Sequence, residues 1–256
     1  MTTPDELRDA VEAYLGSLTF APELRALEEA LRYALESGGK RVRPVLCLAV
    51  AEAAGGDVER ALPAAGAVEL VHTFSLVHDD LPALDDDDER RGRPSAHVAH
   101  GEGVALLAGD AFLAEAFRLA LTYEDPALAR ELADATLGMI GGQYRDITGD
   151  DGDLAAVERL KTGRLLAAAV GLGLRAAAVP ESEQGPWRAF GEELGILFQV
   201  VDDIIDGDGF AAQLGEEGAR ALAEESATRA GERLAEIPAD TTVLRKLVDD
   251  LLVRTS

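Results

Sequence analysis

The sequence is short of several residue types, and each shortage closes off a class of explanation. Its 256 residues include a single cysteine, Cys47, so an intramolecular disulfide is excluded. Cys47 lies in the apolar run Val45 to Val50 and reads as a small core residue. Lysine occurs only at Lys40, Lys161 and Lys246, and the formal net charge is −24. Such a polyanion is a poor partner for nucleic acid or for an anionic membrane surface. Aromatic residues make up 5% of the chain, and runs of alternating β-branched residues are missing, so a sheet is not expected. No apolar stretch is long enough to cross a bilayer; the longest, Leu165 to Val179, is broken by Arg175. Residues Met1 to Asp9 carry acids where an export signal would need an apolar core. The expectation is a soluble, cytoplasmic protein without membrane insertion. The four histidines fit no zinc spacing, and no Ser–His or Cys–His nucleophile signature is present.

What is abundant is alanine, leucine and acid. Alanine and leucine favour helices. With no repeat, low-complexity linker or shift in composition, residues 1–256 read as one all-α domain. Its organising stretch runs from Glu69 to Pro94. There an apolar helical run ends in Asp79 and Asp80, the block Asp85 to Asp88 follows, and Arg90, Arg91 and Arg93 come next. Two readings are open at this point. A run of charge is often a solvated loop. Alternatively, hard oxygen ligands suit magnesium completed by substrate phosphates, beside arginines whose forks fit phosphate oxygens. Phe198 to Asp206 then sets Asp202, Asp203 and Asp206 in a second apolar run. Asp202 and Asp206 share one helix face, as do Gln199 and Asp203. Carboxylates there are costly unless a cation or a water-filled cleft receives them.

Taken in order, Thr3-Pro4-Asp5-Glu6 predicts a capped helix start. A second helix is predicted from Pro22, carrying Leu24, Leu27, Leu31 and Leu35 to a stop at Ser37-Gly38-Gly39. Lys40, Arg41 and Arg43 follow, either as cations at a ligand-binding loop or as ordinary complements of a helix end. Gly55-Gly56-Asp57 separates two further helices. Gly101 to Gly109 is read as preceding a helix through Leu121, and Asp125-Pro126 as opening one that ends at Gly141-Gly142-Gln143. Lys161-Thr162-Gly163 interrupts a helical pattern, Pro180 to Pro186 reads as a loop, and Trp187 as packing. The last two helices divide near Pro238. The result is a bundle of ten or so helices around a cleft.

Six motifs in this order resemble the trans-isoprenyl (polyprenyl) diphosphate synthases, most closely the short-chain bacterial farnesyl and geranylgeranyl branch. They are GGKRVRP (Gly38 to Pro44), HTFSLVHDDLPALDDDDERRGRP (His72 to Pro94) and AHVAHGEGVALLAGDA (Ala96 to Ala111). GGQ at Gly141, KTG at Lys161 and FQVVDDIID at Phe198 complete the set. The resemblance implies antiparallel helices around a deep cavity, the isoprenoid synthase fold, in a homodimer. It also implies condensation of isopentenyl diphosphate with an allylic diphosphate, dimethylallyl or geranyl, releasing pyrophosphate. By position, Asp79, Asp85 and Asp202 would ligate Mg2+, with Asp80 in support. Arg90 and Lys161 would hold the allylic diphosphate. Gly39, Lys40, Arg43, His72 and Arg91 would hold isopentenyl diphosphate, and Thr162 and Gln199 would line the reacting centre. Phe74 and Ser75, five and four residues before Asp79, would set product length in the farnesyl-making pattern.

The chain departs from that pattern after Asp206. A segment bearing two lysines is usual there, but Gly207 to Leu214 reads GDGFAAQL, and the nearest cation is Arg220. An alternative therefore stays open: a synthase-like protein without this activity, acting as the regulatory subunit of a partner. A terpene cyclase on the same fold is a weaker one, because a cyclase has no use for the isopentenyl site.

Overall fold

The computed structural model describes residues 2–36, 38–149 and 163–254, which form eleven α-helices and one two-stranded hairpin. Lys161 and Thr162 lie outside the described residues. The chain is an all-α domain, as its composition indicates. Helix α1 (Pro4–Ser17) begins with the capping box: Thr3 Oγ1 accepts from the Glu6 amide, and the Glu6 carboxylate accepts from the Thr3 amide. The helix predicted from Pro22 is divided. Pro22–Leu24 is one 3₁₀ turn, and α2 spans only Glu28–Leu35, where Leu31 and Leu35 are buried. Arg32 reaches back from α2 to the carbonyls of Leu15 and Gly16, tying down the end of α1.

Helices α3 (Val42–Ala53) and α4 (Val58–Asp79) are buried along most of their length. Cys47 has no exposed surface, and burial raises its thiol pKa. The central helix α4 packs on α3, on α6 (Glu102–Ala120) and on α8 (Arg164–Ala176). Its small residues Ala61, Ala64, Ala65 and Ala67 let these neighbours come close. Between α4 and α6 lie a hairpin, β1 (Glu89–Arg90) against β2 (Arg93–Pro94), and the short helix α5 (Ala96–His100). The hairpin was not expected. Its two-residue turn takes positive φ at Arg91 (56°) and Gly92 (76°), the twist that suits a tight hairpin.

Three predicted boundaries are corrected. The stretch Gly101 to Gly109 is helical from Glu102, because at Gly109 the helix passes so close to His78 that any β-carbon would overlap the imidazole. Helix α7 (Pro126–Thr148) runs through Gly141-Gly142-Gln143 instead of stopping there. Pro180 to Pro186 is mostly structured, as a 3₁₀ turn (Glu181–Glu183) and the start of α9 (Gly185–Asp206), whose Trp187 is buried. Helix α10 (Gly209–Ala235) is kinked at Gly215, and α11 (Thr242–Val253) closes the bundle on α9, α10 and α3.

Candidate active cleft

Two clefts flank α4, and residues of that one helix line both. The first, about 560 Å³, takes Phe74, Ser75 and Asp79 from α4, Leu113 from α6, Met139, Gln143 and Ile147 from α7, and Leu165 from α8. Its lining is largely apolar, with Asp79 and Asp110 as its acids. Phe74 is almost fully buried and meets the His78 ring edge-on, with centroids 4.9 Å apart. His78 Nε2 donates to the carbonyl of Leu106 at 2.9 Å, which fixes α4 to α6 one residue before Asp79. The stretch read as a helix stop thus supplies part of a wall through Gln143, as do its neighbours Ile140 and Tyr144.

The second cleft, about 480 Å³, gathers Gly39, Lys40, Arg43, His72, Arg91 and Asp202, together with Arg254 and Glu69. Positive φ at Gly38 (77°) and Gly39 (139°) bends the backbone into it, and Arg91 lies across both glycines, donating to the Gly38 carbonyl. Arg43 stacks over the Phe198 ring at 5.4 Å, and its NH1 lies 3.3 Å from His72 Nε2. Burial and the arginines around it hold the His72 pKa well below its usual range. The imidazole is therefore neutral, and Nε2 accepts from Arg43. Arg43, His72 and Leu76 line both clefts, so the two meet there.

The acids of the first motif divide in a way that spacing does not reveal, whereas those of the second divide as their helix faces predict. Asp79 faces the first cleft, and Asp85 is folded back onto it, its amide donating to the Asp79 carbonyl at 2.9 Å. Asp80 is buried and turned away; its carboxylate accepts from Arg90 Nε and NH2 at 2.6 and 2.5 Å. Arg90 is accordingly absent from the linings of both clefts. In the second motif Asp202 faces the cleft, 3.6 Å from Arg254. Burial, only partly offset by Arg254 and Arg43, lifts its carboxyl pKa to about 6. Asp203 points the other way. It accepts from Gln199 Nε2 at 2.6 Å and from the Phe210 amide at 2.7 Å, and so anchors the shortened connection after Asp206. Gln199 commits its Nε2 to that contact, its Oε1 is buried without a partner, and it lines neither cleft. Arg220 is paired with Glu216 on α10 and lines neither as well.

Arg254 is the cleft residue that the sequence did not announce. Its Nε and NH1 are buried without a partner, facing a cavity rich in cations. Nothing in its local spacing carries that signal, since only the fold brings α11 beside Asp202.

Comparison with known proteins places this geometry. Residues 24–248 match the family model described as polyprenyl synthetase. The chain is 40% identical over 215 residues to a geranylgeranyl diphosphate synthase of Cyanophora paradoxa, covering 78% of this chain and 72% of that protein. Among solved structures it is similar to a geranyltransferase from Legionella pneumophila, with a TM-score of 0.87 and 32% identity over 98% and 96% of the two chains. It is also similar to an FPP/GFPP synthase from Zymomonas mobilis, with a TM-score of 0.86 and 30% identity over 97% of each.

Proposed function

Because this chain belongs to the polyprenyl synthetase family, we propose that it condenses isopentenyl diphosphate with dimethylallyl or geranyl diphosphate and makes mainly farnesyl diphosphate. The observation that carries this reading is the pair of clefts joined at Arg43, His72 and Leu76. One is cationic and sized for a diphosphate; the other is an apolar channel with an aspartate at its mouth. A reaction between an anion-headed olefin and an allylic chain needs that division.

In this mechanism Gly39, Lys40, Arg43 and Arg91 hold the diphosphate of isopentenyl diphosphate and aim its double bond at the junction. The allylic chain lies in the first cleft with its diphosphate at Asp79 and Asp85. Heterolysis of the allylic C–O bond leaves a carbocation, which the apolar wall of Leu76, Leu113 and Met139 keeps from water. The double bond attacks, and a proton leaves to the departing pyrophosphate. Neutral His72 keeps Arg43 aligned through its acceptor nitrogen.

The donor set fits magnesium. Among the described residues no three His, Cys, Asp or Glu side chains converge. Asp79, with Asp85 folded back beside it, lines one cleft and Asp202 the other, and these carboxylates would hold Mg2+ with few protein ligands, leaving room for diphosphate oxygens. The raised pKa of Asp202 marks a carboxylate whose burial its arginine neighbours do not offset. When bound, Mg2+ neutralises charge developing on the leaving pyrophosphate.

Phe74 and Ser75 line the first cleft, and a bulky Phe74 ring packed edge-on against His78 would limit chain length there, which supports a fifteen-carbon product. The relative from Cyanophora paradoxa is named for a longer product. We also propose a cytoplasmic homodimer, paired through the exposed apolar residues Leu106, Leu107, Leu137, Ile140, Tyr144 and Ile147 of α6 and α7.

Product analysis after incubation with labelled isopentenyl diphosphate, each allylic primer and Mg2+ tests the reading; a fifteen-carbon diphosphate is expected. One observation favours a second reading. No lysine follows Asp206 until Lys246, and Asp203 secures the shortened turn instead. A chain that binds both diphosphates yet forms no product is the inactive, regulatory member of a pair.

A further inference from the structure

The cationic cleft contains a carboxylate for which the mechanism has no use. Glu69 is 3% exposed, on the α4 face that also carries His72 and Leu76, and it lines the cleft meant for a diphosphate. A buried acid there opposes anion binding unless it serves another purpose.

Its contact shows the purpose. Glu69 Oε1 accepts from Arg41 NH1 at 2.6 Å. The rest of the Arg41 fork is also engaged: Nε donates to Glu12 of α1 at 2.8 Å, and NH2 donates to the carbonyl of Leu35 at 2.6 Å. Arg41 also lines this cleft, but its guanidinium is held by three elements. Its backbone is left-handed, at φ 48° and ψ 36°, in a run where Gly38 and Gly39 also have positive φ. Glycine takes that conformation freely, whereas a residue with a β-carbon is disfavoured there. This turn is what directs Lys40 and Arg43, on either side of it, into the cleft.

We propose that Glu69 is a positioning residue for isopentenyl diphosphate, holding Arg41 in its left-handed turn so that Lys40 and Arg43 converge on the phosphates. The proposal rests on the function given above and adds to it the group that builds one of its two substrate sites.

Glu69→Gln separates this role from a bystander's by the sign of its effect. Arg43 and Arg91 both feel the Glu69 charge. If Glu69 were a bystander, removing that charge would leave the cleft more positive and tighten diphosphate binding. If Glu69 is the clamp, the turn relaxes and binding weakens. The full chain is titrated calorimetrically with isopentenyl diphosphate and, separately, with geranyl diphosphate, both in Mg2+, alongside steady-state kinetics. The expected result is about a tenfold weaker Kd and a raised KM for isopentenyl diphosphate, the loss of one charge-assisted bond. Geranyl diphosphate binding stays within twofold. Affinity for isopentenyl diphosphate that is unchanged or tighter in Glu69→Gln, with the unmodified chain binding normally, overturns this proposal alone. No binding by the unmodified chain overturns the functional reading and this proposal with it. Should Glu69→Gln fail to fold by circular dichroism, Arg41→Lys is read by the same criteria, because it keeps the charge but cannot reach three acceptors.

Discussion

Asp202→Asn is expected to stabilise the metal-free protein, and only where the carboxylate is ionised. The Asp202 carboxyl titrates at about 6 against an ordinary 3.8, chiefly because burial disfavours its charge, with Asp206 adding to the shift. With the folded pKa above the unfolded one, the folded chain binds more protons between these values. Stability therefore falls as pH rises through that window, and the penalty is complete above it. A shift of roughly two pH units corresponds to about 3 kcal/mol at 1.36 kcal/mol per unit. The side chain retains 35% exposure, and solvent screening reduces this to about 1–2 kcal/mol. The lost attraction to Arg254 is already contained in the shifted value, and at 3.6 Å it is not a hydrogen bond. For a chain of this size the gain amounts to about 2–8 °C in Tm. Thermal unfolding in EDTA, followed by circular dichroism from pH 4 to pH 8, reads it directly. The difference between Asp202→Asn and the unmodified chain should grow with pH and vanish near pH 4. An equal difference at both ends, or a lower Tm for Asp202→Asn at pH 8, refutes the electrostatic argument. Under the proposed mechanism the same substitution removes most of the turnover, so stability and activity move in opposite directions.

Other expectations follow from the same geometry. Phe74→Ala should shift the product to twenty carbons or longer. It should cost about 3 kcal/mol, the low end for a buried phenylalanine, because one face of the ring lines a cleft; an unchanged product from a folded, active variant places the floor elsewhere. Gly109→Ala pushes a methyl into the His78 imidazole and should cost about 1–3 kcal/mol by overpacking, read as a lower Tm. A Tm equal to that of the unmodified chain would show that the α4–α6 approach is looser than described. Finally, a net charge of −24 should make stability depend on salt. Raising KCl from 0.1 to 1 M shortens the screening length from about 10 to about 3 Å, and Tm should rise, whereas a flat response means the charges are already dispersed.

The helical class and the two acid-bearing helices were readable because both depend on periodicity and capping, which are local. Thr3 with Glu6 is a complete cap within four residues, and the separation of Asp202 from Asp203 follows from helix geometry alone. What spacing could not supply was orientation between elements. Adjacent Asp79 and Asp80 look alike in sequence, yet one faces a cleft and the other is buried on Arg90. Lys40 and Arg41 are neighbours of the same charge on one cleft, yet the Arg41 guanidinium is committed to Glu69, Glu12 and the Leu35 carbonyl. Glycines at 103, 109 and 141 read as breaks because glycine weakens an isolated helix. In the folded chain Gly109 is instead the place where a neighbour presses closest, a property of two helices together. Arg254 shows the limit most clearly, since its role depends on the last helix docking against the first acid of a distant pair.

Helix α4 gives its flanks to two clefts at once: Glu69 and His72 toward the cations, Phe74, Ser75 and Asp79 toward the apolar channel. At 3.6 residues per turn, a rotation large enough to withdraw Phe74 would swing His72 out of register by the same angle. Under the proposed function, the depth of the channel therefore cannot be adjusted by moving the helix without disturbing the other substrate. On that reading product length would have to diversify one side chain at a time, on a backbone that both halves of the reaction hold in place.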